Sequence, residues 1–442
     1  MKHFHTYGTL TCHNINYHAK ERHQSIMNTS STKAIDNIIG KEISLGHISG
    51  ANVMITHKGN ILYQNSYGLA DIENNIPMKE DTIFRMFSMS KMITSVCAMI
   101  LMERGMIDLF DPVSKYLPGF ENQKVWTGKG EELEDVNRPM ILKDLLNMTS
   151  GLTYPEENNY PTACSTALFN EMDASHEDGK LISTVEFANK IGRLPLEFQP
   201  GARWRYGTSA DVMGAVVEVA SGKRFGQFIE DEITRPLHMH DTGFYVPEDK
   251  VHRLAQKYRF YADGDYAQPV SVIDSVSGKV KIKDVTGKLV IEKGPHLAME
   301  DTITKAPAFE SGGAGIVSTI GDFRNFGQML LNGGTASDGT RILGKETVRF
   351  MRTNQLTPEQ IKTTQWDSLQ GYGYGNFNRV LLDPAAYQTN APVGEFGWDG
   401  WLGTYMTLDP SNDFMFQYYI QLADAGSMGP TRLLRQVAYG ML

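Results

Sequence analysis

The chain has 442 residues, 41% of them hydrophobic and 21% charged, a globular balance with room for one large domain or two ordinary ones. A formal charge of −9 without a long basic stripe excludes the electrostatic footprint of a nucleic-acid binder. Three scattered cysteines, Cys12, Cys97 and Cys164, form no CxxC pair, which argues against zinc-ribbon and thioredoxin chemistry and suits a reducing compartment.

The first 26 residues carry Lys2, Lys20, Arg22 and five histidines but no apolar run of the secretory type, so residues 1–30 are expected to be a disordered tail. A helix is expected over Thr32–Ile43, ended near Gly46. ANVMITH (51–57) and NILYQNSYGLA (60–70) read as strands joined at Lys58-Gly59. The longest apolar stretch, Met92–Met102, is too short to cross a bilayer, so a soluble cytoplasmic protein is expected, with no membrane partner. Asp211–Ser221 reads as a helix stopped by Gly222. SGKVKIKD (277–284) and TGKLVIEK (286–293) resemble each other and read as a hairpin or pair of short strands in a surface flap. WLGTYMTL (401–408) and FMFQYYIQL (414–422) form a second strand pair around Pro410, Ser411 and Asn412, and a helix over Pro430–Tyr439 closes the chain. Both ends thus supply strands and helices. The fold class expected is α+β: one antiparallel sheet flanked by helices, from residues 31–115 and 301–442, with a mainly helical inserted domain at 116–300.

The chemistry is densest in FRMFSMSKMITSVCAMILMERG (84–105). Ser88 stands where an apolar helix begins, and Lys91, three residues on, shares its face. A serine hydroxyl is a weak nucleophile and needs a base. Lys91 lies between Met89 and Met92, so desolvation lowers its pKa and favours the free amine. A second SxxK, Ser30–Lys33, lies near the expected tail and lacks this apolar setting.

FRMFSMSK resembles the first motif of class C β-lactamases, penicillin-binding DD-peptidases and the family VIII carboxylesterases. LLNMTSGLTY (145–154), FQPGARWRYGTSADVMGAVVEVASG (198–222), ITRPLHMHDTGF (233–244), SGGAGIVSTIGDFRNFGQMLLNGG (311–334) and FGWDGWLGTYMTLDP (396–410) resemble further family segments in the same order. The resemblance spans about residues 33–442 and is closest to the family VIII esterases. It implies a β-lactamase/transpeptidase-like fold, with Ser88 as nucleophile, Lys91 as its partner and Tyr206 as the tyrosine of the second motif. By the same resemblance the N–H groups of Ser88 and Trp401 form the oxyanion hole. The Lys91 ammonium should lower the pKa of Tyr206, so that the two titrate as a pair.

The third motif reads Trp398-Asp399-Gly400 where β-lactamases have a lysine. An indole supplies no charge for a substrate carboxylate, so an uncharged ester is favoured. Gly400 is read as the residue that lets the backbone approach the acyl group. Asp399 has two equal readings: it repels anionic substrates, or it points away and caps a turn. Tyr154, Thr208, Trp398, Asp399 and Gly400 are the candidate substrate contacts. Thr208 in place of asparagine or serine leaves its substrate hydrogen bond open, and Met148 replaces a common histidine. SGGAG (311–315) is read as a tight turn against the site. No GxSxG, HExxH or P-loop occurs. The resulting expectation is a carboxylesterase acting on a small-molecule ester through a Lys/Tyr base, with neither metal nor organic cofactor. The alternatives are an amidohydrolase of the β-lactamase or DD-peptidase type with Arg203 or Arg205 supplying the missing cation, an acyltransferase, and a non-catalytic scaffold. Oligomeric state is not legible.

Overall fold

The computed structural model describes residues 29–442 apart from 178–180, 263–264, 267–271, 274–279, 282–285, 300–302, 365 and 427–428. The histidine-rich start therefore lies outside the described residues. Helix α1 (Thr29–Ser44) begins three residues before the expected start and buries Ile35 and Ile39. The second SxxK falls on its first turn with Lys33 exposed, away from any apolar setting.

Strands β1 (Gly50–His57) and β2 (Asn60–Asp71) form the expected hairpin. Lys58 and Gly59 both have positive φ, 52° and 74°, the pairing that a two-residue turn needs to match strand twist. With β3 (Ile76–Pro77), β4 (Tyr372–Gly375), β5 (Asn378–Leu381), β6 (Phe396–Asp399), β7 (Tyr405–Asp409) and β8 (Phe414–Tyr419) they make one sheet in the order β4-β5-β6-β7-β8-β1-β2-β3. Every neighbouring pair is antiparallel. The central joint is β1 against β8, from opposite ends of the chain. Strand β7 starts at Tyr405 rather than 401. Trp401-Leu402-Gly403 turn instead, with the Gly403 N–H donating to Gly400 O.

Alternation along β8 assigns its two faces. Met415 faces α4 (Ile320–Leu331): a side chain at Gly327 would strike the Met415 sulfur. Gln417, of the same parity, donates to Ile320 O. Phe414 faces the other way, with its ring 4.6 Å from that of Tyr439 on α5 (Gly429–Tyr439). Both faces are covered, so every β8 residue is buried.

Helix α2 (Ser90–Glu103) is buried from Ser90 to Leu101, the fate of a helix apolar all round. It packs against α3 (Ser209–Ser221), which ends at Gly222 with φ 70°, as expected. The region between also holds helices Tyr160–Glu177 and Thr184–Gly192. Among the described residues of the flap, Val280–Lys281 pairs with Val272–Ile273, and Lys288–Ile291 with Tyr258–Ala262, rather than with each other. Residues 277–279 and 282–284 of that flap are outside the described set. Among the described residues no helix is long and apolar enough to cross a membrane.

A buried ion pair ties the closing helix to the sheet. Arg435 on α5 donates to Glu395 at 2.6 Å, with both side chains at most 1% exposed. Glu395 also accepts from Thr407 on β7. Removing one partner strands the other charge in the core. Arg435→Leu should therefore lower unfolding free energy by about 3–5 kcal/mol in a urea titration. An unchanged midpoint would show that Glu395 needs no partner.

Candidate active site

Ser88 is the middle residue of a single 3₁₀ turn, Phe87–Met89, that leads directly into α2. Phe87 is held at φ 45°, a costly conformation for a bulky residue that persists only under constraint from its surroundings. Here the ring of Phe87 is packed 5.0 Å from Trp401 and 5.6 Å from His296. One residue earlier, Met86 O accepts from Thr404 Oγ1 at 3.0 Å. A Cβ on Gly400 would strike Met86 O. Gly400 therefore allows close approach to the nucleophile's own turn, rather than to the acyl group as the sequence suggested.

Lys91 is fully buried. Its Nζ lies 3.1 Å from Ser88 Oγ, 3.1 Å from Tyr154 OH and 2.8 Å from Gly313 O. Burial brings its pKa down to about 7, against the opposing pull of Asp211 and Asp399. The lysine inference from its apolar neighbours holds.

Tyr206 precedes α3, and the packing of α3 on α2 sets it opposite the nucleophile turn. Its ring centroid is 4.6 Å from Lys91 Nζ. The expected depression of its pKa is absent. Burial raises it, and hydrogen bonding with Ser88 and Trp398 offsets this only in part. The ammonium meets the face of the ring, whereas the hydroxyl that meets Nζ belongs to Tyr154. Tyr154, expected to contact substrate, thus sits inside the proton network, and burial raises its pKa as well.

Four further expectations change. Trp398 is 1% exposed and donates Nε1–H to Tyr206 OH at 3.1 Å, so it holds the tyrosine instead of lining an open pocket. Asp399 neither repels nor caps: Arg379, itself buried, donates to it at 3.0 Å. Thr208 is 1% exposed at the start of α3, too deep to meet a substrate. Arg205 is held by Glu156 and Glu197 and so does not replace the missing motif lysine, while the exposed Arg203 lies over the Phe198 ring. Trp401 stacks its indole on His296 at 3.7 Å and donates Nε1–H to Asp424. Among the described residues the backbone N–H of Trp401 donates to no backbone carbonyl.

The sequence did not single out three residues. Asp211 on α3 accepts from Ser311 Oγ at 2.5 Å and from Gly313 N–H at 3.1 Å, and so fixes the turn whose carbonyl receives Lys91. A side chain at Gly313 would strike both Asp211 and Tyr154. Trp366, 39% exposed, places its ring 4.7 Å from Tyr206 and leaves a face open beside it. Asp211 and Gly313 lay inside segments already matched to the family. Nothing local marks Trp366, which lies 160 residues from Tyr206. Among the described residues no group of three or more His, Cys, Asp or Glu is arranged to hold a metal ion.

Comparison with known proteins agrees with this geometry. The family described as Beta-lactamase matches residues 35–438. Protein Rv1367c of Mycobacterium tuberculosis (strain ATCC 25618 / H37Rv) is 31% identical over 399 residues, covering 87% of this chain and 90% of its own. Esterase EstB of Burkholderia gladioli is 28% identical over 411 residues, covering 92% and 94%. The solved structure of EstCE1, "a hydrolase with promiscuous acyltransferase activity", superposes with a TM-score of 0.75 at 25% identity, over 94% of this chain and 100% of that one. The chain belongs to the beta-lactamase family, as a class C-like member related to esterases.

Proposed function

We propose that this protein hydrolyses small carboxylic esters through an acyl-enzyme on Ser88. The observation that carries the reading is the buried Lys91 amine, 3.1 Å from Ser88 Oγ, in a site whose third motif offers no cation to an anionic substrate. A neutral amine has two hydrogens and one lone pair. Gly313 O can only accept, so it takes one hydrogen. Tyr154 O takes the second, and the lone pair then faces the Ser88 hydroxyl. Lys91 is therefore the base that removes the serine proton as Oγ attacks the ester carbonyl. The oxyanion rests on the N–H groups of Ser88 and Trp401, which would contribute a few kcal/mol.

Tyr206 has the complementary part. Its oxygen accepts from Trp398, so its own proton is directed towards Ser88 and the departing alcohol. It stays protonated at neutral pH and acts as the acid for the leaving group, and the proton that Lys91 took from Ser88 then restores the tyrosine, whose ring lies 4.6 Å from Nζ. Water then releases the acid by the same steps in reverse. An alcohol in place of water would give transacylation, the side activity recorded in the name of EstCE1. EstB, an esterase by name, supports an ester substrate. An amide substrate with an anionic group is disfavoured because Arg379 and Arg205 are held in ion pairs and Trp398 brings no charge. Among the described residues Cys97 and Cys164 form no disulfide, in keeping with a reducing, cytoplasmic setting.

With p-nitrophenyl butyrate, Ser88→Ala should lose turnover by about 10⁴-fold or more while keeping the native circular dichroism spectrum. Lys91→Ala and Tyr206→Phe should each lose about 10²–10⁴-fold. Nitrocefin should be turned over poorly if at all; nitrocefin turnover exceeding that of the ester would refute the ester reading. The amine form of Lys91 exists above its pKa, so kcat/KM should rise with pH through about 7 and fall on acidification. Its charged and titratable neighbours are Asp211, Asp399, Tyr154 and Tyr206. Asp211→Asn removes a charge that favours the ammonium and should move the acidic limb down by about one pH unit. A limb that stays in place would assign the titration to another group.

A further inference from the structure

The nucleophile turn and the turn that carries Trp401 meet in a small apolar cluster of their own. Phe87, Ala314, Leu402 and Ala423 form it apart from the main core, and the Trp401 indole packs against it. Polar groups then fasten the indole. Asp424 accepts its Nε1–H at 2.6 Å. Arg259 donates to Asp424 at 2.7 Å and, through two nitrogens, to Glu292 at 2.6 and 2.8 Å. Its guanidinium lies 5.9 Å from the Trp401 ring. His296 covers a face of the indole, with the two rings 3.7 Å apart and 4° from parallel. The main chain is held as well, because Ala425 N–H donates to Trp401 O at 3.1 Å.

Two of these partners are delivered by unfavourable backbone. His296 and Met299 exchange hydrogen bonds across a turn in which Leu297 and Ala298 have φ of 52° and 58°. Such a turn suits Asn and Gly, and a leucine there is strained. Asp424 also has positive φ, 58°. Strain of this kind persists only where the surroundings over-determine it, and here both segments bring a side chain to one indole.

We propose that Arg259, Asp424 and His296 are positioning residues, which hold Trp401 so that its backbone N–H meets the oxyanion formed on Ser88. The inference rests on the acyl-enzyme reading of Ser88 and adds to it three residues outside the segments that resemble family motifs. Charge divides the work among them. Asp424 brings a carboxylate to the side chain of an oxyanion donor, and unmatched it would oppose the negative charge that develops there. Arg259 matches it. Burial brings the pKa of His296 down to about 4, so the stacked ring adds no charge of its own. Arg259 stands on strand Tyr258–Ala262, and Glu292 follows its partner strand Lys288–Ile291. The flap is thus tied to the active site through one guanidinium.

The test compares Arg259→Met, Arg259→Lys and the double variant Arg259→Met/Asp424→Asn on p-nitrophenyl butyrate, with rates expressed per serine labelled exhaustively by a fluorophosphonate. Arg259→Met should lower kcat about 10- to 100-fold with KM changed less than about twofold, as expected when a transition-state donor is misplaced. Adding Asp424→Asn removes the stranded charge while the amide oxygen still accepts the indole N–H, so most of kcat should return. Arg259→Lys keeps the charge without the planar fork and should fall between native and Arg259→Met. A role in stability alone would lower the labelled fraction and leave kcat per labelled serine at the native value. That result, or a double variant no faster than Arg259→Met, would overturn the inference while the labelled Ser88 upholds the acyl-enzyme reading. A native protein that takes no label at Ser88 would overturn both.

Discussion

An amine with no access to solvent is the constraint on which the site depends. Lys91 is fully buried in a helix that is itself buried from Ser90 to Leu101, and a charged ammonium there is costly. The protein meets that cost partly with two carboxylates at a distance and partly by letting the group approach neutrality near pH 7. A carbonyl, a phenol and a serine hydroxyl then take up all of its hydrogen-bonding capacity. Each requires a precise support: Gly313 is fixed by Asp211, Tyr154 packs against Tyr206, and Ser88 lies in a turn held at an unfavourable backbone angle. The active site is in this sense the set of contacts that makes one buried nitrogen tolerable.

The third-motif tryptophan fits the same logic. A lysine at position 398 would bring a second ammonium close to Tyr206 and Lys91. The indole donates one hydrogen bond to Tyr206 and adds no charge. Asp399 then lacks a cation at the motif and is matched instead by Arg379 across the sheet. Charge near the serine is thus met within the protein, Asp399 by Arg379 and Lys91 by its approach to neutrality.

Much of this was legible in the sequence. Hairpins at both chain ends, the α3 helix with its glycine stop, and the Ser88–Lys91 spacing follow from short-range rules of period and turn chemistry, and all appear in the structure. The fold class and family followed from several motifs in a fixed order. The errors share a cause, which is that a linear motif does not say which way a side chain points. Trp398 and Thr208 were assigned to substrate, yet both face inward. Tyr206 was expected to titrate as a pair with Lys91, but the hydroxyl that meets Nζ belongs to Tyr154, 52 residues earlier. Asp399 was left undecided because its partner, Arg379, lies on the neighbouring strand β5. Trp366 escaped notice because its role is set only by the fold that brings it against Tyr206.

The joint between β1 and β8 links residues 52–57 to residues 414–419. The turn that carries the nucleophile is also gripped from the late part of the chain, by Thr404 and Ile316 on Met86. A ribosome making this protein exposes Ser88 early but cannot offer it a finished cradle until residues 404 and 414–419 have emerged. Pairings so distant in sequence form slowly. The serine's surroundings are therefore completed only after β8 has been made and has found β1.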